Sequence, residues 1–354
     1  WKNKEGNWMK MNSGIRRAMI AAAAGLGLFA AAGPAFAGAD FDRVKQQGFV
    51  RCGASMKAIG FSYYDSNGMA KGFDVDFCRA ISAAMFGVPD NVRFVSTTIP
   101  TRFVVLQTNE VDVQLQTIAL TILRDTTLGL TNVATLLHNG LGIMVAKDLN
   151  IDKAEKLDGA TLCIQQGTTM ERAALDFAKA KGITIKLQQY DNIETEKAAF
   201  YAGRCDGMLN DLLSLQRDKV SAPKPDNYAI LPDILSKESD GLMVRSGDSE
   251  WEKLVRWTFF ALVQAEEYGL TKDNVEEIRK TTSNPDIRRF LGVEGNLGKG
   301  FGISDSFAYD IVRHVGNYGE VFERNLGKAG GIGAERGLNK TWRDGGLMIS
   351  QMWQ

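Results

Sequence analysis

In 354 residues the chain balances 42 basic against 42 acidic side chains, so no basic excess draws nucleic acid and no acidic block forms a solvated tail. His138 and His314 are its only histidines, and CxxC, HExxH and the phosphate-binding GxxxxGK[ST] are absent. A zinc site and a nucleotide motor are therefore disfavoured, and no metal or other cofactor is expected.

Residues 1–10 precede a leader pattern. It has a basic start with Arg16 and Arg17, a small apolar run over residues 18–32, and Ala35-Phe36-Ala37 with small residues at the −3 and −1 positions. That is the order of an export signal. The apolar run, about 15 residues, falls short of the roughly 20 that a membrane span needs. The expected product is periplasmic, cleaved near Ala37, with no cysteine beside the cut for a lipid anchor. The remaining 317 or so residues (354 less 37) exceed the ~250–300 at which single cores split, which implies two domains.

Along the chain, residues 49–54 (FVRCGA) read as a strand and the stretch around Asp65 and Gly68 as a turn. A helix runs from about Gly72 to Phe86 with Asp74 as its N-cap, followed by a strand at 92–95, a helix at 102–108 and a strand at 111–115. This rhythm implies a parallel sheet with crossover helices. It repeats with a strand at 160–165, a helix at 171–181, a strand at 183–187, a helix at 193–202 and a strand at 205–209. Two similar strings, GIMVAKD (142–148) and GLMVRSGD (241–248), bracket the second unit. The chain is thus expected to leave lobe 1, build lobe 2 and return. The boundaries are lobe 1 at 38–143 and 245–292, lobe 2 at 144–244, and a helical extension at 293–354. A long helix at 251–268, a break at Pro285, and shorter helices at 306–314 and 318–325 complete the reading. No apolar stripe is left over for a partner, so a monomer is expected. Cys52 and Cys78 fall in the first unit, Cys163 and Cys205 in the second. Four cysteines allow three pairings, and without a CxxC they read as structural staples.

The string GFDVDFCRA (72–80) resembles the general L-amino-acid-binding proteins of ABC importers, periplasmic receptors of the polar amino acid class. RFVVLQTNEVDV (102–113), TLCIQQGTT (161–169), AGRCDG (202–207) and RWTFFALVQAEEYG (256–269) are similar to that family in order and spacing. VGNYGEVFERNLG (315–327) and RGLNKTWRDGGL (336–347) resemble a tail that smaller amino-acid receptors lack. The resemblance covers essentially all of residues 40–348. It implies an α/β, two-lobed periplasmic-binding-protein fold (type II), with parallel-rich sheets joined by two hinge strands. It also implies an amino acid as ligand, an ABC permease in the inner membrane as partner, and the pairs Cys52–Cys78 and Cys163–Cys205. Each bridge would stabilise its lobe by roughly 3–4 kcal/mol on the loop-entropy model.

A free amino acid offers a carboxylate and an ammonium. The resemblance assigns Arg124 to the carboxylate, where a guanidinium can form two parallel hydrogen bonds, and Asp211 to the ammonium. Thr121 can add a hydroxyl. Thr168 and Thr169 stand at a helix start, where free amides favour an anion. Phe61 and Tyr63, with Tyr64 beside them, are candidate walls for the ligand side chain.

Relatives tend to have N-T-T-W-T-x-x-R before the arginine, whereas this chain has Thr117-Ile118-Ala119-Leu120-Thr121-Ile122-Leu123-Arg124. Gln114 and Gln116 replace residues that include an arginine in relatives. A missing buried hydrogen bond costs about 1–3 kcal/mol, so the departure points to a narrower, more apolar or modified ligand. Two other classes fit the same lobes: a dehydratase-like enzyme, which needs a buried acid of raised pKa, and a receptor that docks on a signalling protein.

Overall fold

The structure is a computed structural model describing residues 39–354; the expected leader and its cut near Ala37 lie outside those residues. Helix α1 (Ala39–Gln47) leads into strand β1 (Val50–Ala54). A small antiparallel sheet follows, made of β2 (Lys57–Ala58), β3 (Ser62–Tyr64) and β4 (Ala70–Lys71). Gly72 then turns the chain into α2 (Phe73–Phe86) with φ of 125°, and a Cβ there would lie 2.2 Å from the Phe61 carbonyl oxygen. Only glycine fits that approach. Next come β5 (Val92–Ser96), α3 (Arg102–Gln107), β6 (Val113–Ala119) and α4 (Ile122–Thr127).

Strand β7 (Leu130–Ala146) crosses to lobe 2, which is built from β8 (Thr161–Gln165), α5 (Met170–Lys181), β9 (Lys186–Tyr190), α6 (Ile193–Tyr201), β10 (Gly207–Asp211), α7 (Leu212–Val220) and β11 (Tyr228–Ile230). Strand β12 (Ser236–Arg245) returns the chain to lobe 1. There α8 (Ser249–Glu267), α9 (Val275–Thr281), α10 (Pro285–Phe290), α11 (Phe307–Val315) and α12 (Tyr318–Asn325) complete the fold.

All strands but the small three join one sheet in the order β5-β1-β6-β12-β7-β10-β8-β9, with β11 on β7. The pairs β1–β5, β1–β6, β8–β9 and β8–β10 are parallel, as crossover helices require. The crossing strands are antiparallel to each other. β7 pairs with β12 from Leu130 to Leu141 and with β10 from Leu141 to Val145. One strand therefore belongs to lobe 1 at its start and lobe 2 at its end, giving the two-lobed type II arrangement.

Lobe 1 packs around fully buried Trp251, Phe73, Phe77, Tyr318 and Phe322, so helices from both ends of the chain share one core. Lobe 2 is layered by strand alternation. Ile143, Leu162, Ile164 and Leu209 fill one face of its sheet, and Met144, Cys163, Met208 and Phe200 the other. Each fully buried side chain of this size contributes about 1.5–3 kcal/mol. The disulfides are Cys52–Cys78 in lobe 1 and Cys163–Cys205 in lobe 2, with Cα atoms 6.3 and 5.7 Å apart. Among the described residues no helix is long and apolar enough to cross a membrane.

Several element limits differ from the sequence expectation. Asp74 is not an N-cap: Gly72 holds that place without a side-chain cap, while Asp74 is buried in the first turn and its amide donates to the Phe61 carbonyl. β6 starts at Val113 rather than 111, because buried Asp112 instead collects hydrogen bonds from Arg43, Gln47 and Arg51. β9 starts at Lys186 rather than 183, because the Ile183 amide closes the end of α5 on the Ala178 carbonyl. The strand expected at 205–209 runs from Gly207 to Asp211.

Candidate ligand-binding site

A cavity lies where β6, α3 and α4 of lobe 1 face β8, α5 and β10 of lobe 2. It is lined by Arg102, Arg124, Thr168, Thr169, Asp211 and Glu238, together with Ile99, Thr117, Ala119, Gln165, Met170 and Asn210. Its volume is about 40 Å³.

On the lobe 1 side, Thr121 caps α4 by accepting the Arg124 amide at 3.2 Å. The Arg124 guanidinium is steadied by the Ala119 carbonyl at 2.8 Å, leaving other donors free for the cavity. Arg102 is a second guanidinium, 2% exposed, whose Nη1 donates to the Gln116 carbonyl at 3.2 Å and whose Nε has no partner. Both guanidiniums lie over the Phe103 ring, at 4.9 and 5.3 Å from its centre. Gln116 and Thr117 have φ of 136° and 44°. Non-glycine residues there carry strain, which concentrates at functional sites. Burial, reinforced by Arg124, lowers the Arg102 pKa to about 9, and burial also lowers that of Arg124.

On the other side, Asp211 ends β10, and its amide is held by its neighbour's Asn210 Oδ1 at 2.9 Å. Glu238 and Asp240 stand two residues apart on β12, hence on one face of the strand. One carboxylate oxygen from each of Asp211, Glu238 and Asp240 lies within 4.8 Å of the others. Thr169 of lobe 2 donates to Glu238 at 2.9 Å. Asn139 donates to Asp240 Oδ2 at 3.2 Å, while Oδ1 of the same residue, 2% exposed, has no partner. Burial and then mutual repulsion raise Asp211 well above the usual carboxylate range. Burial raises Asp240 to about 7, against the Asn139 hydrogen bond. Burial raises Glu238 as well. Two guanidiniums in the same cavity suit these acids to an organic zwitterion rather than a bare dication.

Of the expected residues, Arg124, Asp211, Thr168 and Thr169 line this one cavity. Thr121 acts as the helix cap, and Thr168 Oγ1 turns back to the Gln165 carbonyl at 2.7 Å. Phe61 lies in the lobe 1 core with the Arg217 guanidinium of lobe 2 5.8 Å from its ring centre. Tyr63 is on the small sheet and Tyr64 is 52% exposed. Neither Phe61 nor Tyr63 is among the cavity-lining residues. Of the departures before Arg124, Ala119 lines the cavity whereas Leu120 is exposed. Arg102, Glu238 and Asp240 were not anticipated. Their only local signal is two acids at strand spacing in KESDG (237–241), which reads equally well as a solvated turn.

Residues 50–274 match the family model described as bacterial extracellular solute-binding proteins, family 3. The glutamate/glutamine/aspartate/asparagine-binding protein BztA of Rhodobacter capsulatus is 44% identical over 309 residues, covering 87% of this chain and 91% of that protein. The general L-amino acid-binding periplasmic protein AapJ of Rhizobium johnstonii is 39% identical over 338 residues, covering 95% and 99%. A solved ABC transporter periplasmic binding protein from Brucella ovis, with glutathione bound, matches with a TM-score of 0.86 and 41% identity, covering 88% of this chain and 98% of that one.

Proposed function

The chain belongs to the bacterial extracellular solute-binding proteins, family 3, and on that premise we propose that it is a periplasmic receptor that captures a free amino acid between its lobes and delivers it to the permease of an ABC importer. The observation that carries this reading is that Arg124 of lobe 1 and Asp211 of lobe 2 line one cavity. Arg124 receives the α-carboxylate and Asp211 the α-ammonium, with Thr169 and the start of α5 on the carboxylate side. A ligand that touches both lobes favours the closed arrangement by its differential affinity for it. The exported form begins near Gly38 and acts as a monomer, without a cofactor.

Calorimetry on that form, with the L-amino acids and glutathione as titrants, tests the reading. Glutathione belongs in the panel because its γ-glutamyl end presents the same ammonium and carboxylate. Free amino acids should bind, and at 100 times Kd should add about 2.7 kcal/mol to stability. Arg124→Ala should weaken binding by roughly a hundredfold or more, since a charge-assisted pair is lost. No binding, or binding undiminished in Arg124→Ala, would sink the proposal. The raised acids of the cleft also meet the requirement for a dehydratase-like general acid, so the recovered ligand should be checked by mass spectrometry. It is expected unchanged.

A further inference from the structure

Arg102 of α3, Arg124 of α4, Asp211 of β10 and Glu238 of β12 line the cavity, and buried Asp240 of β12 adjoins them, with one carboxylate oxygen within 4.8 Å of one from each of Asp211 and Glu238. Two cations against three acids leave an excess of one negative charge only where all three are ionised, and burial raises Asp211, Glu238 and Asp240, the last to about 7. The surrounding elements do not cancel it. Arg217 of α7 acts on Asp211 but is bound through two nitrogens to Asp218, at 2.8 and 2.9 Å. Asp74 of α2 is buried and near enough to Asp240 to feel its charge; burial, then Asp240, raises it to about 8, so it adds no charge at neutral pH. Asn139 and Thr169 contribute hydrogen bonds without charge.

We infer that Glu238 and Asp240 make the cleft select on ligand charge, holding neutral and cationic amino acids in preference to dicarboxylic ones. The inference rests on the receptor reading. Once the ligand carboxylate takes Arg124 and its ammonium takes Asp211, Arg102 is left to balance two acids. It can match one. Asp240 Oδ1, buried and without a partner, is an acceptor in need of a donor once Asp240 is ionised. A side-chain amide or a second cationic group supplies that donor, whereas a second carboxylate meets like charge. Unit charges within about 5 Å in a protein interior interact strongly enough to change affinity tenfold or more. Thr169 at the start of α5 fastens Glu238, so this acid stays at the cleft rather than turning to solvent.

Glutamine and glutamate have nearly the same shape and differ by one charge, which isolates the effect. Calorimetric Kd values for both, with lysine as the cationic probe, would be measured at about pH 8, where more of the acids are ionised, on the wild type, Asp240→Asn and Glu238→Gln. Glutamine should bind at least about tenfold tighter than glutamate. Asp240→Asn should reduce that ratio about tenfold, and Glu238→Gln should move it the same way. If Asp240→Asn does not fold, Glu238→Gln and the wild-type ratio from about pH 8 down to pH 5.5 decide the matter. The ratio should narrow as the acids take up protons. Glutamate bound as tightly as glutamine by the wild type, or a ratio unmoved by substitution and pH, overturns charge selection and leaves the receptor reading standing. Failure of every amino acid to bind overturns the receptor reading, and this inference with it.

Discussion

The two lobes share one sheet but differ in what fills its faces. In lobe 1, Phe73, Phe77, Phe259 and Tyr318 meet with ring centres 5.0–6.5 Å apart, and Trp251 is fully buried beside them. The far end of the chain adds Trp353, 4.8 Å from Phe290. Lobe 2 has no tryptophan between residues 144 and 244. One face of its sheet is aliphatic, and the other gathers Phe200 and Met208 around the Cys163–Cys205 bridge. Lobe 2 also buries Glu196, neither of whose carboxylate oxygens has a partner. Large aromatic surface makes lobe 1 the firmer platform, while lobe 2, with a smaller core and an uncompensated acid, leans on its covalent staple.

Three experiments would break or sharpen this contrast. Trp251→Ala should cost the most, about 3–5 kcal/mol. It opens a cavity and removes the indole hydrogen bond to the Asp112 carbonyl at 3.0 Å. Denaturant unfolding followed by fluorescence and circular dichroism would measure it, and a loss below about 1 kcal/mol would contradict the platform role.

Replacing Cys163 and Cys205 together by Ser comes next. The bridge spans 42 residues, for which the loop-entropy model gives about 4 kcal/mol. Loss of the Cys52–Cys78 bridge, spanning 26 residues, should cost nearly as much, about 3.5 kcal/mol. The two variants should nevertheless unfold differently. Without its bridge, lobe 2 should melt in a separate, earlier transition in calorimetry, while the lobe 1 variant should keep a single one. Identical melting profiles would remove the distinction.

The smallest effect concerns pH. Burial, with Asp218 nearby, raises Glu196 from its ordinary 4.5 to about 8. The folded protein therefore keeps a proton that the unfolded chain gives up above about pH 4.5. The resulting stability is full below that pH and is lost as pH rises towards 8. Glu196→Gln cannot ionise, so it should match the wild type near pH 5 and exceed it near pH 8 by on the order of 1–2 kcal/mol. Equal urea midpoints at both pH values would mean that Glu196 does not titrate in this way.

Much of this molecule was legible before any coordinates. Two βαβ units, the return of the chain after the second, and one cysteine pair in each follow from local pattern, because hydrophobic period and turn residues act over a few positions. Arg124 and Asp211 came from the family resemblance rather than from local pattern, and Thr121, read as a hydroxyl for the ligand, caps α4. The strand limits were less legible. The amide of Ile183 and the carboxylate of Asp112 were diverted into contacts that only the folded chain supplies.

Three of the five charges at the cleft, Arg102, Glu238 and Asp240, emerged only from the tertiary structure. Arg102 sits in a helix, and Glu238 and Asp240 in a run of polar residues that reads as solvent-facing. They become one electrostatic unit because β12 crosses back between β6 and β7 and sets its acids against Asp211, on the adjoining lobe 2 stretch of that sheet. Local propensity acts over a turn or two of chain. Coulomb interaction and desolvation depend on distance in space, and more than a hundred residues separate Arg102 from Asp240. The sequence, read with the family resemblance, determined the elements and four of the residues that line the cavity, Arg124, Thr168, Thr169 and Asp211; the crossing strands decided which further charges join them.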